Sequence, residues 1–367
     1  MTYNETCLIL LFSGFQRRSS VKKFRLNFKK LAIFVFFSLF LNPVSWATTE
    51  SSGSNVLVYW AGWSNEPVPD QSFRALFLAF ALLKKDPQGK YYTNYSVSGN
   101  FEDPSSSAYQ TWNRWRTKWN TSPCSGKVYV AYGGETNSEL RGWIINASDA
   151  ELFPIAREIK RNLATYGFDG VDLDIEGWWN YRSDKNKMFT LNLIKLVKIL
   201  RYLLDSDQKT INKEIAVTVG FTSAGFFAGS VPDQDYTGTM LEFYQNQEVM
   251  QDITFINIMV YGLGPNFYVK YIPIGNLISL YKQVVGENNA KKLIFGILPI
   301  EGGATTSPAV IQELASTMIA PNGLGGMFLW GVGVQEMGRE NPGDYINAMR
   351  MGLCQSNPNQ CACSSGR

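Results

Sequence analysis

Between Phe168 and Glu176 the chain reads Phe-Asp-Gly-Val-Asp-Leu-Asp-Ile-Glu. Asp172, Asp174 and Glu176 alternate with Val171, Leu173 and Ile175. That is the period of an extended strand, so the three carboxylates share one face and the three apolar side chains the other. Neighbouring positions on such a face stand roughly 7 Å apart, and longer side chains can close that gap. In a water-poor interior the three cannot all ionise cheaply, so at least one must hold its proton to higher pH than a free carboxyl. A carboxyl kept protonated near neutrality is a general acid, suited to protonating a leaving oxygen. The bland alternative is an edge strand with a solvated acidic face. The run is the fourth of eight apolar segments, which weakens that alternative.

Those eight segments are Val56–Trp60, Leu76–Ala81, Lys127–Tyr132, Phe168–Glu176, Glu214–Phe221, Ile253–Tyr261, Lys292–Pro299 and Gly326–Trp330. They are mostly continuous and rich in β-branched and aromatic residues, as strands covered on their outer side are. Helical patterns fall between them. Ser148-Asp149-Ala150-Glu151 has the form of a capping box, apolar residues follow from Phe153 to Leu163 near helical spacing, and Gly167 closes the segment. A second helix is expected from about Lys185 to Leu204, with others near 239–251, 274–286, 307–320 and 342–353. Strands alternating with helices imply a parallel sheet, and eight units suggest closure into a single-domain (β/α)8 TIM barrel of the α/β class over residues 55–353. An open doubly wound sheet is the alternative, but no glycine-rich dinucleotide fingerprint supports it. In a barrel the acidic face points at the axis, and Glu176 lies at the strand's C-terminal end, where barrel enzymes keep their chemistry. Residues 84–126, long and rich in Tyr, Trp, Ser and Asn, are expected to wall a cleft there.

Composition narrows the chemistry further. The 367 residues contain no histidine, which excludes Ser-His-Asp and Cys-His machinery and histidine-ligated metals. Neither a metal nor a cofactor is expected. Residues 1–47 carry seven of the 34 Lys/Arg and one of the 31 acids, leaving 27 basic and 30 acidic side chains in the remainder. A nucleic-acid partner therefore has no support. Basic residues from Arg17 to Lys30, the apolar run Leu31–Leu41, and Ser45 and Ala47 before a cleavage point read as a signal peptide over 1–47. An uncleaved anchor is the alternative, although the run is short for a span of about 20 residues. Residues 48–54 read as a linker. Secretion to the extracellular space, no membrane association after cleavage and a monomer are expected. Cys124, Cys354, Cys361 and Cys363 would remain, an even count that suits disulfides, with a small loop from Cys354 to Cys361 or Cys363 within the tail 354–367.

Asp169-x-x-Asp172-x-Asp174-x-Glu176 resembles the D-x-x-D-x-D-x-E signature of family 18 glycoside hydrolases, the chitinase-type barrels, over about residues 55 to 350. The resemblance implies that Glu176 protonates the glycosidic oxygen. Asp174 would orient the N-acetyl group of the substrate, whose carbonyl oxygen attacks the anomeric carbon to form an oxazolinium. Asp172 would share a proton with Asp174, and Asp169 would fix the strand's entry. Met259-Val260-Tyr261 is similar to the family's M-x-Y-D motif, with Gly262 in place of the aspartate. It implies Tyr261 as a bond donor to the acetamido group, with Met259 beside it. Ala131-Tyr132-Gly133-Gly134 resembles S-x-G-G, with alanine in place of serine and a hydrogen bond to the acidic cluster missing. Trp330 would floor the sugar at the cleavage point. Trp178 and Trp179, directly after Glu176, and Trp60 and Trp63, leaving the first strand, would line the cleft.

There is room for only one loop and one helix between the seventh and eighth segments. The small α+β domain that many family chitinases insert there is therefore expected to be absent, and the cleft shallow and open. The implied activity is secreted chitinase action on β-1,4-linked N-acetylglucosamine, with chitin or a related oligosaccharide as partner. Because the substrate supplies the nucleophile, plain glucans should not be cleaved. An endo-β-N-acetylglucosaminidase acting on N-glycans and a non-catalytic sugar-binding lectin are the alternatives.

Overall fold

The eight apolar segments pair in parallel, and the last returns to the first. In the computed structural model the described residues are 55–62, 73–120, 126–135, 138–176, 183–225, 240–261, 274–301, 304–332 and 341–355. The strands are β1 (Asn55–Ala61), β2 (Ala75–Lys85), β3 (Tyr91–Asn94), β4 (Lys127–Gly133), β5 (Gly170–Ile175), β6 (Glu214–Gly220), β7 (Phe255–Met259), β8 (Leu293–Ile297), β9 (Ile300–Glu301), β10 (Ala304–Thr305) and β11 (Gly326–Val332). The sheet runs β1-β11-β8-β7-β6-β5-β4-β2, and β2 pairs with β1 to close an eight-stranded parallel ring. This is a (β/α)8 barrel.

Side-chain alternation divides the core in two. One set fills the lumen: Leu57, Tyr59, Ala75, Phe77, Tyr129, Phe255, Ile294 and Phe328 among others. The other fills the shell between strands and helices and includes Val58, Trp60, Val171, Leu173, Ile175, Leu193 and Leu200. Rings in the lumen stack in series, Tyr59 on Phe77 at 4.6 Å and Phe77 on Tyr129 at 4.7 Å. The lumen is a packed interior, as closed barrels of this size require.

The helix Asp149–Tyr166 begins at Ser148, whose backbone N–H donates to the Glu151 carboxylate at 3.0 Å, and ends at left-handed Gly167. The helix after β5 spans Ser183–Asp205. The stretch expected as one helix near 239–251 is two short ones, Leu241–Gln245 and Gln247–Asp252, because Asn246 leaves helical geometry to cap the second. The helix expected over 307–320 is α-helical only over Pro308–Leu314, and Ala315–Ile319 continue as a wider π turn.

Residues 84–126 differ from expectation. β2 runs beyond the ring to Lys85, β3 folds back antiparallel to it, and the helix Ser107–Asn120 follows. Tyr95, Phe101, Trp112 and Trp115 are buried in the shell, with Phe101 and Trp112 against Phe168 at the entry of β5. These described aromatic residues are packing, not cleft wall, while Tyr92 is exposed. Between β8 and β11 the described residues form a β9–β10 hairpin and one helix, with no inserted domain. Cys354 is disulfide-bonded, and its partner lies outside the described residues. So do the proposed signal peptide and linker.

Candidate active site

β5 lies between β4 and β6, with Asp172 opposite Ala131 and Ala216, and Asp174 opposite Gly133 and Thr218. Val171, Leu173 and Ile175 pack in the shell, which turns Asp172 and Asp174 to the lumen, where both are buried. Glu176 follows the strand's last residue and is partly exposed at the mouth. Its backbone carbonyl accepts a hydrogen bond from the guanidinium of buried Arg141, which anchors the chain where the acid leaves the strand. Asp169, at the other end, accepts from the Val128 N–H at 2.9 Å.

The electrostatics follow from this stacking. Burial pushes the Glu176 carboxyl up to about 7, and the carboxylates of Glu135 and Asp172 add to the effect. The backbone N–H of Glu135 works against it by bonding Glu176. Asp174 is driven well above the usual carboxylate range by burial, then by the charges of Glu176 and Asp172. Asp172 rises to about 7 through burial, restrained by hydrogen bonds from Thr218 and Tyr59. One oxygen of Asp174, Oδ1, is buried without a hydrogen-bond partner among the described residues. The site thus holds protons near neutrality and keeps one acceptor uncommitted, which suits proton delivery and the grip of a polar substrate group.

Met259 and Tyr261 both lie against the lumen cluster, Met259 almost fully buried and Tyr261 partly exposed. Trp330 is partly exposed at the end of β11, edge-on to Tyr59 at 5.7 Å and stacked near Phe80 at 5.5 Å. The structure therefore brings Asp172, Asp174, Glu176, Met259, Tyr261 and Trp330 to one end of one lumen. Gly133 and Gly134 are buried at the β4–β5 junction. Gly133 has φ of 127°, and a Cβ there would stand 1.9 Å from the carbonyl oxygen of Asp174. The two glycines serve the close contact of β4 with the acid strand.

Trp60 corrects the expectation of a cleft aromatic. It is fully buried in the shell, because alternation along β1 turns its neighbour Tyr59 inward and Trp60 outward. Trp63, Trp178, Trp179 and Gly262 lie outside the described residues.

Sequence reasoning missed Tyr59, Thr218, Asn257, Arg141 and Glu135. The first three were accessible by carrying the inward parity of β5 across to its neighbours. Thr218 and Asn257 are polar residues on the lumen parity of mostly apolar strands. No local pattern marks Arg141 or Glu135.

The model of the family described as "Glycosyl hydrolases family 18" matches residues 55–291. No curated protein matches the chain. Among solved structures, a GH18 chitinase from Pseudoalteromonas aurantia is 18% identical, covers 82% of this chain and 100% of its own, and superposes with a TM-score of 0.58. The class V chitinase from Nicotiana tobaccum is 16% identical over 82% of this chain and 99% of its own, with a TM-score of 0.57. A GH18 chitinase from Cycas revoluta in complex with (GlcNAc)3 is 16% identical over 83% and 99%, with a TM-score of 0.56. At these identities the likeness establishes the fold.

Proposed function

The chain belongs to glycosyl hydrolase family 18, and on that premise we propose that this glycoside hydrolase is a chitinase cutting β-1,4 bonds between N-acetylglucosamine units with retention. Glu176 protonates the bridging oxygen as the bond to the anomeric carbon breaks. The carbonyl oxygen of the substrate's own acetamido group attacks that carbon and forms the oxazolinium. Water, deprotonated by Glu176, then opens the ring. Asp174 holds the acetamido N–H through its uncommitted oxygen, Tyr261 bonds the acetamido carbonyl, and Trp330 lies beneath the sugar.

The observation that carries this reading is the carboxylate ladder on the lumen face of β5, with Asp172 and Asp174 buried and Glu176 at its C-terminal end, where burial raises the Glu176 carboxyl to about 7. A general acid of this kind needs a pKa near the working pH. The partly exposed position of Glu176 lets a substrate oxygen reach it. The reading includes export after cleavage behind Ala47, for which N-terminal sequencing of the mature protein is the check, with Thr48 expected as the first residue.

The deciding experiment is hydrolysis of a chromogenic chitobioside and of chitin oligomers, with cellulose oligomers as control. Release from the first two and none from the third is expected, because a glucan lacks the acetamido nucleophile. Cleavage of a high-mannose glycopeptide in preference to chitin oligomers would replace chitin with N-glycans as the substrate. Sugar binding without turnover would make the protein a lectin.

A further inference from the structure

Glu135 is an acid at the barrel mouth that the proposed chemistry leaves without a task. The pairing of β4 with β5 sets Gly133 opposite Asp174, and the Gly134 N–H donates to the Asp174 carbonyl at 3.3 Å. One residue further on, the Glu135 N–H donates to the Glu176 carboxyl. Paired strands stand about 4.8 Å apart, so the main chain at Glu135 is the lateral neighbour of the general acid. Glu176 is partly exposed, and Glu135 is exposed. None of the ion pairs among the described residues includes Glu135. Its charge acts on the acid all the same. Of the charges that raise the Glu176 carboxyl, that of Glu135 comes first and that of Asp172 second.

A carboxylate in this place opposes the reaction. Glu176 becomes negative as it gives up its proton, and a like charge alongside resists that change. A cation brought by the substrate would relieve the repulsion and gain an ion pair. The chemistry restricts where on the substrate that cation can be. The sugar at the cleavage point must keep its acetyl group, because the acetamido carbonyl is the nucleophile. A glucosamine there has nothing with which to attack. The leaving sugar is under no such constraint. Its bridging oxygen has to come within hydrogen-bond reach of Glu176, which carries its ring to the margin where Glu135 stands. Loss of the acetyl group from that ring uncovers an amine, and a protonated amine is a donor that a carboxylate binds strongly.

We infer that Glu135 is a specificity-determining residue on the leaving side of the cleaved bond, where its carboxylate binds the ammonium of a glucosamine unit, and that the substrate class is partially deacetylated chitin. This rests on the chitinase reading and narrows it.

The test is digestion of partially acetylated chitosan by the full chain, with the products sequenced by mass spectrometry. Every new reducing end should be N-acetylated, as the substrate-assisted step demands. The new non-reducing ends should be enriched in glucosamine roughly fivefold to tenfold over the polymer, the worth of one hydrogen bond to a charged group. Glu135→Gln should return those ends to the composition of the polymer, and Glu135→Lys should turn the preference towards N-acetylglucosamine. Sodium chloride at about 0.5 M should weaken the enrichment given by the native chain and leave Glu135→Gln unmoved. In parallel, calorimetry on Glu176→Gln compares a fully acetylated hexamer with one that carries a single internal glucosamine. The second should bind more tightly, and the difference should vanish when Glu135→Gln is added. Non-reducing ends in the proportion of the polymer, or an enrichment that survives Glu135→Gln, overturn the inference. New reducing ends that carry glucosamine overturn the substrate-assisted reading instead. A chain that cleaves neither polymer nor oligomer, yet prefers the glucosamine hexamer through Glu135, upholds the assignment and rejects the chitinase reading.

Discussion

Glu176 stands at a boundary, its main chain held by Arg141 and the residue only partly exposed at the mouth of the lumen. Glu176→Gln keeps the shape and removes the proton. Turnover is expected to fall by about 10²–10⁴, the range a positioned acid–base contributes, with oligosaccharide affinity by calorimetry preserved. Tyr261→Phe should cost roughly tenfold in kcat, because the ring stays against Phe328 and only one donor is lost. The acids themselves were legible in the sequence because alternation is written into six consecutive residues. Trp60 was misread because nearness to a strand's end does not say which way a side chain points. Parity does, and β1 has Tyr59 in the lumen. Thr218 and Asn257 escaped because each stands among apolar neighbours, and its place in the lumen is visible only once the neighbouring strands are in register.

At the scale of elements, the junction of β4 and β5 sets how closely the acid strand is held. The N–H of Gly134 donates to the carbonyl of Asp174 at 3.3 Å, and Gly133 leaves no room for a side chain beside that same carbonyl. Gly133→Ala must push two central strands apart and strain a positive φ. A loss of about 3 kcal/mol in urea unfolding is expected, with a fall in kcat as Asp174 shifts. The strands were legible because each is a short, nearly unbroken apolar run between breakers. The excursion after β2 was not. Its Tyr and Trp residues have the composition of a sugar cleft, yet Tyr95, Trp112 and Trp115 among them pack in the shell once β3 folds back. Composition does not distinguish a ring stacked on a sugar from one stacked on a neighbour. The break at Asn246 was hidden for a related reason, since a capping side chain can sit within an otherwise helical pattern.

For the molecule as a whole, the site is a standing cost. Asp172, Asp174 and Glu176 have raised pKa values when folded and ordinary ones when unfolded. The folded state then binds more protons than the unfolded state above about pH 4, so stability falls as pH rises from there through about 7. Melting scans across that range should show a declining Tm, once the surface carboxylates held low by hydrogen bonds are allowed for, such as Asp207 by the Lys209 backbone N–H and then Lys160, and Glu248 by Lys198. Glu176→Gln should flatten part of the decline and gain on the order of 3 °C at pH 8, with no gain at pH 4. A variant that melts alike at both pH values would contradict the raised Glu176 pKa.

A ring has no ends, but the appended β3 does. It hydrogen-bonds β2 on one side only, and its other side would offer bare amides to any passing strand. The N–H of Thr93 is instead taken by the carboxylate of Glu158 at 2.8 Å, and Glu158 is held in place by Arg161. A single acid from a helix thereby blocks strand-to-strand joining between molecules at that margin. Glu158→Ala should leave chemistry at the barrel mouth intact while light scattering on concentration or mild heating reveals self-association.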